Sequence, residues 1–468
     1  MKKISFFGLV LAFIAMAIFI VSCSQPLFPH GSNYLPRDPG NEGGDIPGWD
    51  TDGSSPCGRM TVAEQLDWLR NNATADTRWN VWAWMEPPYE SIHTIQNIHG
   101  VGGPETAITV FLRTYSGSNN RLRLLLGGIG NMTMLNVLND NTLILENIVL
   151  QGRLNSNTPL VVVSAGTLKQ RSGSEIDKPS NYTGLFHQGT VSVRDGATFI
   201  MSGDALITGS FTGVPDTGRN TGVVVSNNAV LEMKGEASIT NHSRGVFLQQ
   251  DSTLIMEDGT HISGHGLEGV RSTWSEIHMS DEAHISGNGD SRGHPGVYLS
   301  NSDLFMHDEA QIHSNNFGGG VFANNTLGVR PSIIRMYNEA SIHSNINTTT
   351  DGGGGVTLNL SRLYMYDYSV TIRGNSTHTE GGGVRLYSNS TLTIHRGLIY
   401  GINEANYANE NVCPLGGVPS PNGHALYIAD IWNVRVYLGA APVIYSTNPP
   451  YFRNETFGVQ GGVPIDNG

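Results

Sequence analysis

The pair Gly-Val recurs at Gly222, Gly245, Gly269, Gly296, Gly320, Gly355 and Gly383, at successive spacings of 23, 24, 27, 24, 35 and 28 residues. A repeat of that length encodes one supersecondary unit per copy, and such units bury a core only by stacking on their neighbours. Inside each copy three short alternating segments follow in fixed order. The first is Val-x-Val/Leu (Val223/Val225, Val246/Leu248, Val297/Leu299, Val356/Leu358, Val384/Leu386). The second is Leu/Ile-x-Met (Leu231/Met233, Leu254/Met256, Ile277/Met279, Leu304/Met306, Ile334/Met336, Leu363/Met365). The third is Ala-x-Ile (Ala237/Ile239, Ala283/Ile285, Ala310/Ile312, Ala340/Ile342). Period-two alternation marks strands with one buried face, and three per copy are too few for a four-stranded propeller blade. The pattern predicts an all-β chain, a single-stranded right-handed parallel β-helix with three short strands per rung, rungs stacking at about 4.8 Å. Leucine-rich repeats lack support, because the helix half and the leucine framework are missing.

A polar row accompanies the apolar columns. Asn288, Asn315, Asn345, Asn375 and Asn403 recur after the third strand, with His242 and His265 in earlier copies. Asn tolerates left-handed turns, and amides at rung spacing are expected to form a hydrogen-bonded ladder along the rod.

Outside the repeats the chain divides clearly. Lys2 and Lys3 precede the apolar run Ile4 to Ile20, which ends in Val21-Ser22-Cys23. This is an export signal, and its end resembles the lipobox of bacterial lipoproteins. The expected divisions are a signal peptide at 1–22, a lipidated Cys23 with a flexible linker at 23–57, and an N-terminal cap at 58–84. A parallel β-helix at 85–440 and a C-terminal cap or tail at 441–468 complete them. The linker is rich in Pro, Gly, Asp, Asn and Ser, a composition that cannot bury enough surface to order itself. Thr61-Val-Ala-Glu64 is a capping-box pattern that opens a short helix at 61–72, followed by the Trp-rich strand Trp79 to Trp84. Cys57 and Cys413 stand 356 positions apart and read either as unpaired structural cysteines or as a disulfide in an oxidising compartment.

Composition removes one class of partner. The formal net charge is −13, and Lys occurs only at positions 2, 3, 169, 178 and 234. No basic footprint for nucleic acid exists.

The segments Gly381-Gly-Gly-Val-x-Leu through Thr391-Leu-Thr-Ile394 and Glu339-Ala-Ser-Ile-x-x-Asn345 resemble the repeats of spirochaetal β-helix lipoproteins, which read GGGVYV, GTFTM and GGTISGN. Ala63-Glu-Gln-Leu66 and Gly423-His-Ala-Leu-Tyr-Ile428 resemble the two ends of that family. The resemblance covers most of the chain after about residue 58 and implies a pectin-lyase-like β-helix. It implies no settled activity, since function does not travel with fold.

Three outward rows are candidates for function. The middle positions of the first strand include Phe247, Arg271, Tyr298, Phe322 and Arg385, a row that would grip sugar rings or a partner protein if exposed. The β-propensity of aromatics, or cover by an inserted loop, explains the same row without function. Asp204, Glu236, Glu282, Glu309 and Glu339 form an acidic row. Carboxylates one rung apart repel, so Glu282, Glu309 and Glu339 are the candidate metal ligands, with Ca2+ the fitting ion; solvated turn residues are the plainer account. Adjacent carboxylates on β-helix rungs also resemble the Ca2+ sites of pectate lyases, but Lys234 is the only nearby Lys and Arg335 the nearest repeated-row Arg, and neither sits in a recognisable motif. His261 and His284 occupy equivalent positions on neighbouring rungs. No catalytic residues and no required cofactor emerge. The sequence therefore predicts a membrane-anchored, non-catalytic scaffold of the cell envelope that binds a glycan or a protein. The alternative is a Ca2+-dependent lyase or hydrolase of an acidic polysaccharide.

Overall fold

The computed structural model describes residues 60–400 apart from 84–90, 115–120, 128–131, 154–155, 157, 179–188, 211–219, 326–327, 350–351 and 388, together with 44–45, 411–412, 426–428, 435–438 and 443–445. Cys23, Cys57 and Cys413 lie outside the described residues.

Among the described residues the strands form three long parallel sheets of fourteen, twelve and thirteen strands, with a small fourth sheet of two. Setting aside Gly44–Asp45 and the two short strands of the small sheet, each long sheet takes every third strand in chain order, which is the connectivity of a right-handed parallel β-helix. The Leu/Ile-x-Met strands form the fourteen-stranded sheet, the Val-x-Val/Leu strands the twelve-stranded sheet, and the Ala-x-Ile strands the thirteen-stranded sheet. Register is one-to-one: Met256, Met279, Met306, Met336 and Met365 each pair with the next. All five are fully buried, as are Ile262, Ile285, Ile312 and Ile342 on the thirteen-stranded sheet. Each such side chain contributes about 1.5–3 kcal/mol by burial, so a few rungs outweigh many loop residues.

The polar row turns inward. Asn288, Asn315, Asn345 and Asn375 are fully buried. Each Nδ2 donates to the carbonyl of an Ile on the preceding rung and to the next Asn Oδ1; for Asn345 the distances are 3.0 Å to Ile312 and 2.9 Å to Asn375. The left-handed φ sits one residue earlier, at Gly287, Ser314, Ser344 and Gly374. The expected next member, Asn403, lies outside the described residues, and the ladder continues instead through Asn411, whose Oδ1 accepts from Asn375 Nδ2 at 2.9 Å. An insertion after the strand Leu398–Tyr400 displaces the row along the sequence, not in space.

This column explains the Gly-Val anchor. A Cβ on Gly269 would lie 2.5 Å from Asn288 Nδ2, and one on Gly320 would lie 2.7 Å from the Gly355 carbonyl and 2.8 Å from Asn345 Nδ2. Glycine is required there by close approach of backbone and amide. A second polar column went unread in the sequence. Ser252, Ser275, Ser302 and Ser332 are buried, and each Oγ from Ser275 onward accepts the backbone N–H of the preceding Ser at 3.2–3.3 Å.

The N-terminal end is closed by the helix Val62–Asn72, with Thr61 and Glu64 forming the capping box. Val62, Leu66 and Leu69 pack onto the core. Gln65 does what a further strand would do: its Nε2 donates to the Trp82 carbonyl at 2.8 Å and its Oε1 accepts the Trp82 N–H at 2.9 Å. The strand Arg78–Ala83 pairs with both Thr109–Thr114 and Gly44–Asp45, so it belongs to the fourteen-stranded sheet. At the other end Val443–Tyr445 pairs with Leu398–Tyr400.

Candidate functional site

The twelve-stranded sheet carries the first predicted row. Phe247, Arg271, Tyr298 and Phe322 are register neighbours, and Arg385 follows two rungs later. The Tyr298 and Phe322 rings stack at 5.5 Å, with the Arg271 guanidinium 4.6 Å from the Tyr298 centroid. The row is not displayed throughout: Phe247 and Arg385 are each only 7% exposed. Arg244 lies over the Phe247 ring at 5.3 Å, while Arg385 is enclosed by Glu380, Tyr387 and Tyr427. At the intervening rung the Thr357 hydroxyl accepts the Gly353 N–H at 2.7 Å, so a returning loop covers the sheet.

Beside Arg244 and Arg271 on this sheet is a charge cluster that sequence reasoning missed. Glu268 is 1% exposed and pairs with Arg244 at 2.9 Å, Arg271 at 3.3 Å and His294 at 3.5 Å. Burial pushes its carboxyl upward, but Arg244, His294 and Arg271 together overcome that and hold it well below the usual carboxylate range. The available signal was an acid directly before a repeat glycine, where the other copies carry Thr221, Arg244, Pro295, Gly319, Gly354 and Gly382.

The acidic row occupies turns after the fourteen-stranded sheet. Glu282, Glu309 and Glu339 are exposed. Among the described residues no three His, Cys, Asp or Glu side chains come together as a group that could hold a metal ion. The carboxylates just before that row serve the turns themselves. Asp258, Asp281 and Asp308 adopt left-handed φ values of 55°, 53° and 52°. Asp258 accepts the Gly235 N–H of the neighbouring turn at 2.9 Å, and Asp367 accepts the Asn338 N–H at 3.0 Å. Stacking turns use these side chains as cross-rung braces.

The fourteen-stranded sheet holds the most continuous outward feature. His307, Tyr337, Tyr366 and His395 follow the buried Met306, Met336, Met365 and Ile394, one residue beyond each strand. Their backbone N–H groups extend the parallel ladder by one bond per rung, at 2.9–3.1 Å. The rings consequently stack, with centroids 4.4, 4.6 and 5.0 Å apart and interplanar angles of 5°, 2° and 16°. Two residues inward along the strands, Phe305 stacks on His278 at 4.6 Å and lies under Arg335 at 5.0 Å. Asp303 fixes that guanidinium side of the face, pairing with Arg330 at 2.9 Å and Arg335 at 3.5 Å. Ring faces inside the ladder are occupied by neighbouring rings, so ring edges point outward. Partial burial and the adjacent Tyr366 hold the Tyr337 hydroxyl above its ordinary range.

The thirteen-stranded sheet brings His261 and His284 together, stacked at 5.0 Å and 3°. It adds His313 and His343, themselves stacked at 5.0 Å. The second pair escaped the sequence reading because it sits two residues further along its strands: His284 pairs with Gln311, and Ser286 with His313. His284 Nδ1 and His313 Nε2 are 3.2 Å apart. Burial lowers the pKa of His284, His313 and His343, to about 4 for the last two; neighbouring imidazoles add to the shift, as does Arg373 at His343.

No protein-family model matches the chain, and no curated protein is significantly similar to it. Among solved structures, a chain of the complex between Vag8 and C1 inhibitor is similar at a TM-score of 0.43 and 12% identity, covering 83% of this chain and 100% of that one. So remote a likeness carries no partner or activity across.

Proposed function

We propose that the protein is a non-catalytic binding rod, exported and held to the cell envelope by lipid on Cys23, which docks a protein partner on the aromatic ladder of the fourteen-stranded sheet. The carrying observation is the unbroken stack His307, Tyr337, Tyr366 and His395 beside Phe305 and Arg335. Aromatic and Arg side chains dominate the energetics of protein interfaces, and rings locked by stacking lose little conformational freedom on binding. A sugar ring stacks on an open aromatic face. Within this ladder the faces are taken and the hydroxyl and imidazole edges are offered, which favours a protein surface over a glycan.

The export signal and Cys23 support tethering; because Gly44–Asp45 already pairs with the rod, the expected linker is shortened to the stretch between Cys23 and Gly44, whose composition supports reach from the membrane. Binding is tested with the delipidated protein against envelope and host protein fractions and a glycan array. Tyr337→Ala with Tyr366→Ala is expected to abolish protein binding, while Phe322→Ala leaves it intact. Full binding by the double variant rejects the ladder as the docking face.

A further inference from the structure

The histidines of the thirteen-stranded sheet are used neither by the core nor by the ladder. We propose that His284 and His313 form a two-histidine site for a borderline divalent cation of the Cu2+, Ni2+ or Zn2+ class, independent of the docking face.

The argument is geometric. Nδ1 of His284 and Nε2 of His313 face each other at 3.2 Å, and the two rings are nearly perpendicular, 87°, with centroids 5.2 Å apart. A metal about 2.05 Å from each nitrogen would subtend an N–metal–N angle of about 103°, within the tetrahedral range and without strand movement. The parallel register holds the spacing, because Ser286 and His313 are paired residues on adjacent strands and His284 pairs with Gln311.

The tautomers suit a metal. Nδ1 of His313 contacts Ser314 Oγ at 3.1 Å, so a proton donated there leaves the Nε2 lone pair pointing at His284. In the metal-free protein, with His313 protonated on Nδ1, a proton on His284 Nδ1 would fill the gap as a hydrogen bond. A cation replaces it once that proton shifts to Nε2 of the same ring, so both ligands stay neutral. His261 stacks on the far side of His284, and His343 stacks on His313 while contacting Gln311 Oε1 at 2.9 Å. These neighbours fix ring orientation without entering the coordination sphere. With two protein nitrogens and no grouped third ligand among the described residues, water completes the shell and the cation exchanges readily.

The test uses the untagged, full mature protein titrated with Cu2+, Ni2+ and Zn2+ by calorimetry, together with electron paramagnetic resonance of the Cu2+ form. One Cu2+ per chain with the superhyperfine pattern of two nitrogens is expected. His284→Ala and His313→Ala should each weaken binding at least tenfold and remove one nitrogen from that pattern. His278→Ala and His307→Ala should change neither. His313→Gln, which keeps a polar side chain on the strand, guards against loss of fold and should also lose the site. Binding that survives both alanine substitutions, or a Cu2+ spectrum with no paired nitrogens, overturns the proposal.

Discussion

Replacing Asn345 by Ala removes one member of the buried amide column while leaving the apolar columns untouched. Asn345 makes four side-chain hydrogen bonds: Nδ2 to the Ile312 carbonyl at 3.0 Å and to Asn375 Oδ1 at 2.9 Å, and Oδ1 from Asn315 N at 3.1 Å and Asn315 Nδ2 at 3.0 Å. Two of the partners keep an alternative. Asn375 Oδ1 still accepts the Asn345 backbone N–H, and Asn315 Nδ2 still reaches the Ile285 carbonyl. The Asn315 N–H loses its partner in a dry interior, whereas the Ile312 carbonyl keeps its place in the parallel ladder with the strand Ser341–His343. An unsatisfied buried group costs about 1–3 kcal/mol, so the substitution should cost about 1–3 kcal/mol before the small cavity is counted. Urea unfolding followed by circular dichroism and Trp fluorescence reads the difference, with Glu339→Ala as an exposed control expected within about 0.5 kcal/mol of the parent. A loss below about 1 kcal/mol for Asn345→Ala would refute the claim that the amide column is structural.

Further outcomes follow from other buried groups. His265 is fully buried in the same column with its pKa lowered to about 4, and burial pushes His242 down as well. The unfolded chain binds the proton first, so stability is full above about pH 6.5 and falls as pH drops toward 4, by up to about 3 kcal/mol for His265. His265→Asn should flatten that profile in pH-dependent urea titrations; an unchanged slope contradicts it. Glu268→Gln should cost about 3–5 kcal/mol by removing the buried carboxylate that faces Arg244, Arg271 and His294, whereas the same change at Glu282 should be silent by thermal melting. Cys23→Ala should move the protein from the detergent phase to the aqueous phase on phase partitioning, and persistence in detergent would count against the lipid anchor.

The inward half of this fold was legible because every rung repeats it. Val246, Leu254 and Ile262 alternate in one copy, their counterparts alternate in the next, and only parallel stacking satisfies all of them. The serine column was equally regular, two residues before each buried Leu or Ile, but short polar residues at turns carry little signal beside a hydrophobic period. The aromatic ladder was not legible as a row. Its positions hold Ser202, Lys234, Glu257 and Ser280 before His307, Tyr337, Tyr366 and His395, so no single residue type marks it until strands are aligned. The displayed row expected on the twelve-stranded sheet was overdrawn because sequence alternation reports which side of a strand faces inward. It is blind to a loop returning over the outer side, as Gly353 does over Thr357. The His284–His313 contact had the same obstacle, since a two-residue offset between neighbouring strands is invisible to repeat alignment.

The most direct test of the account is a photo-crosslinking scan on intact cells, with a benzophenone side chain placed in turn at Tyr366, Phe322 and Glu282, one position for each outward row. A discrete protein adduct formed from Tyr366 and absent from Phe322 and Glu282 is the predicted result. Adducts of equal yield from all three positions, or none from Tyr366, would contradict the ladder as the working face of the rod.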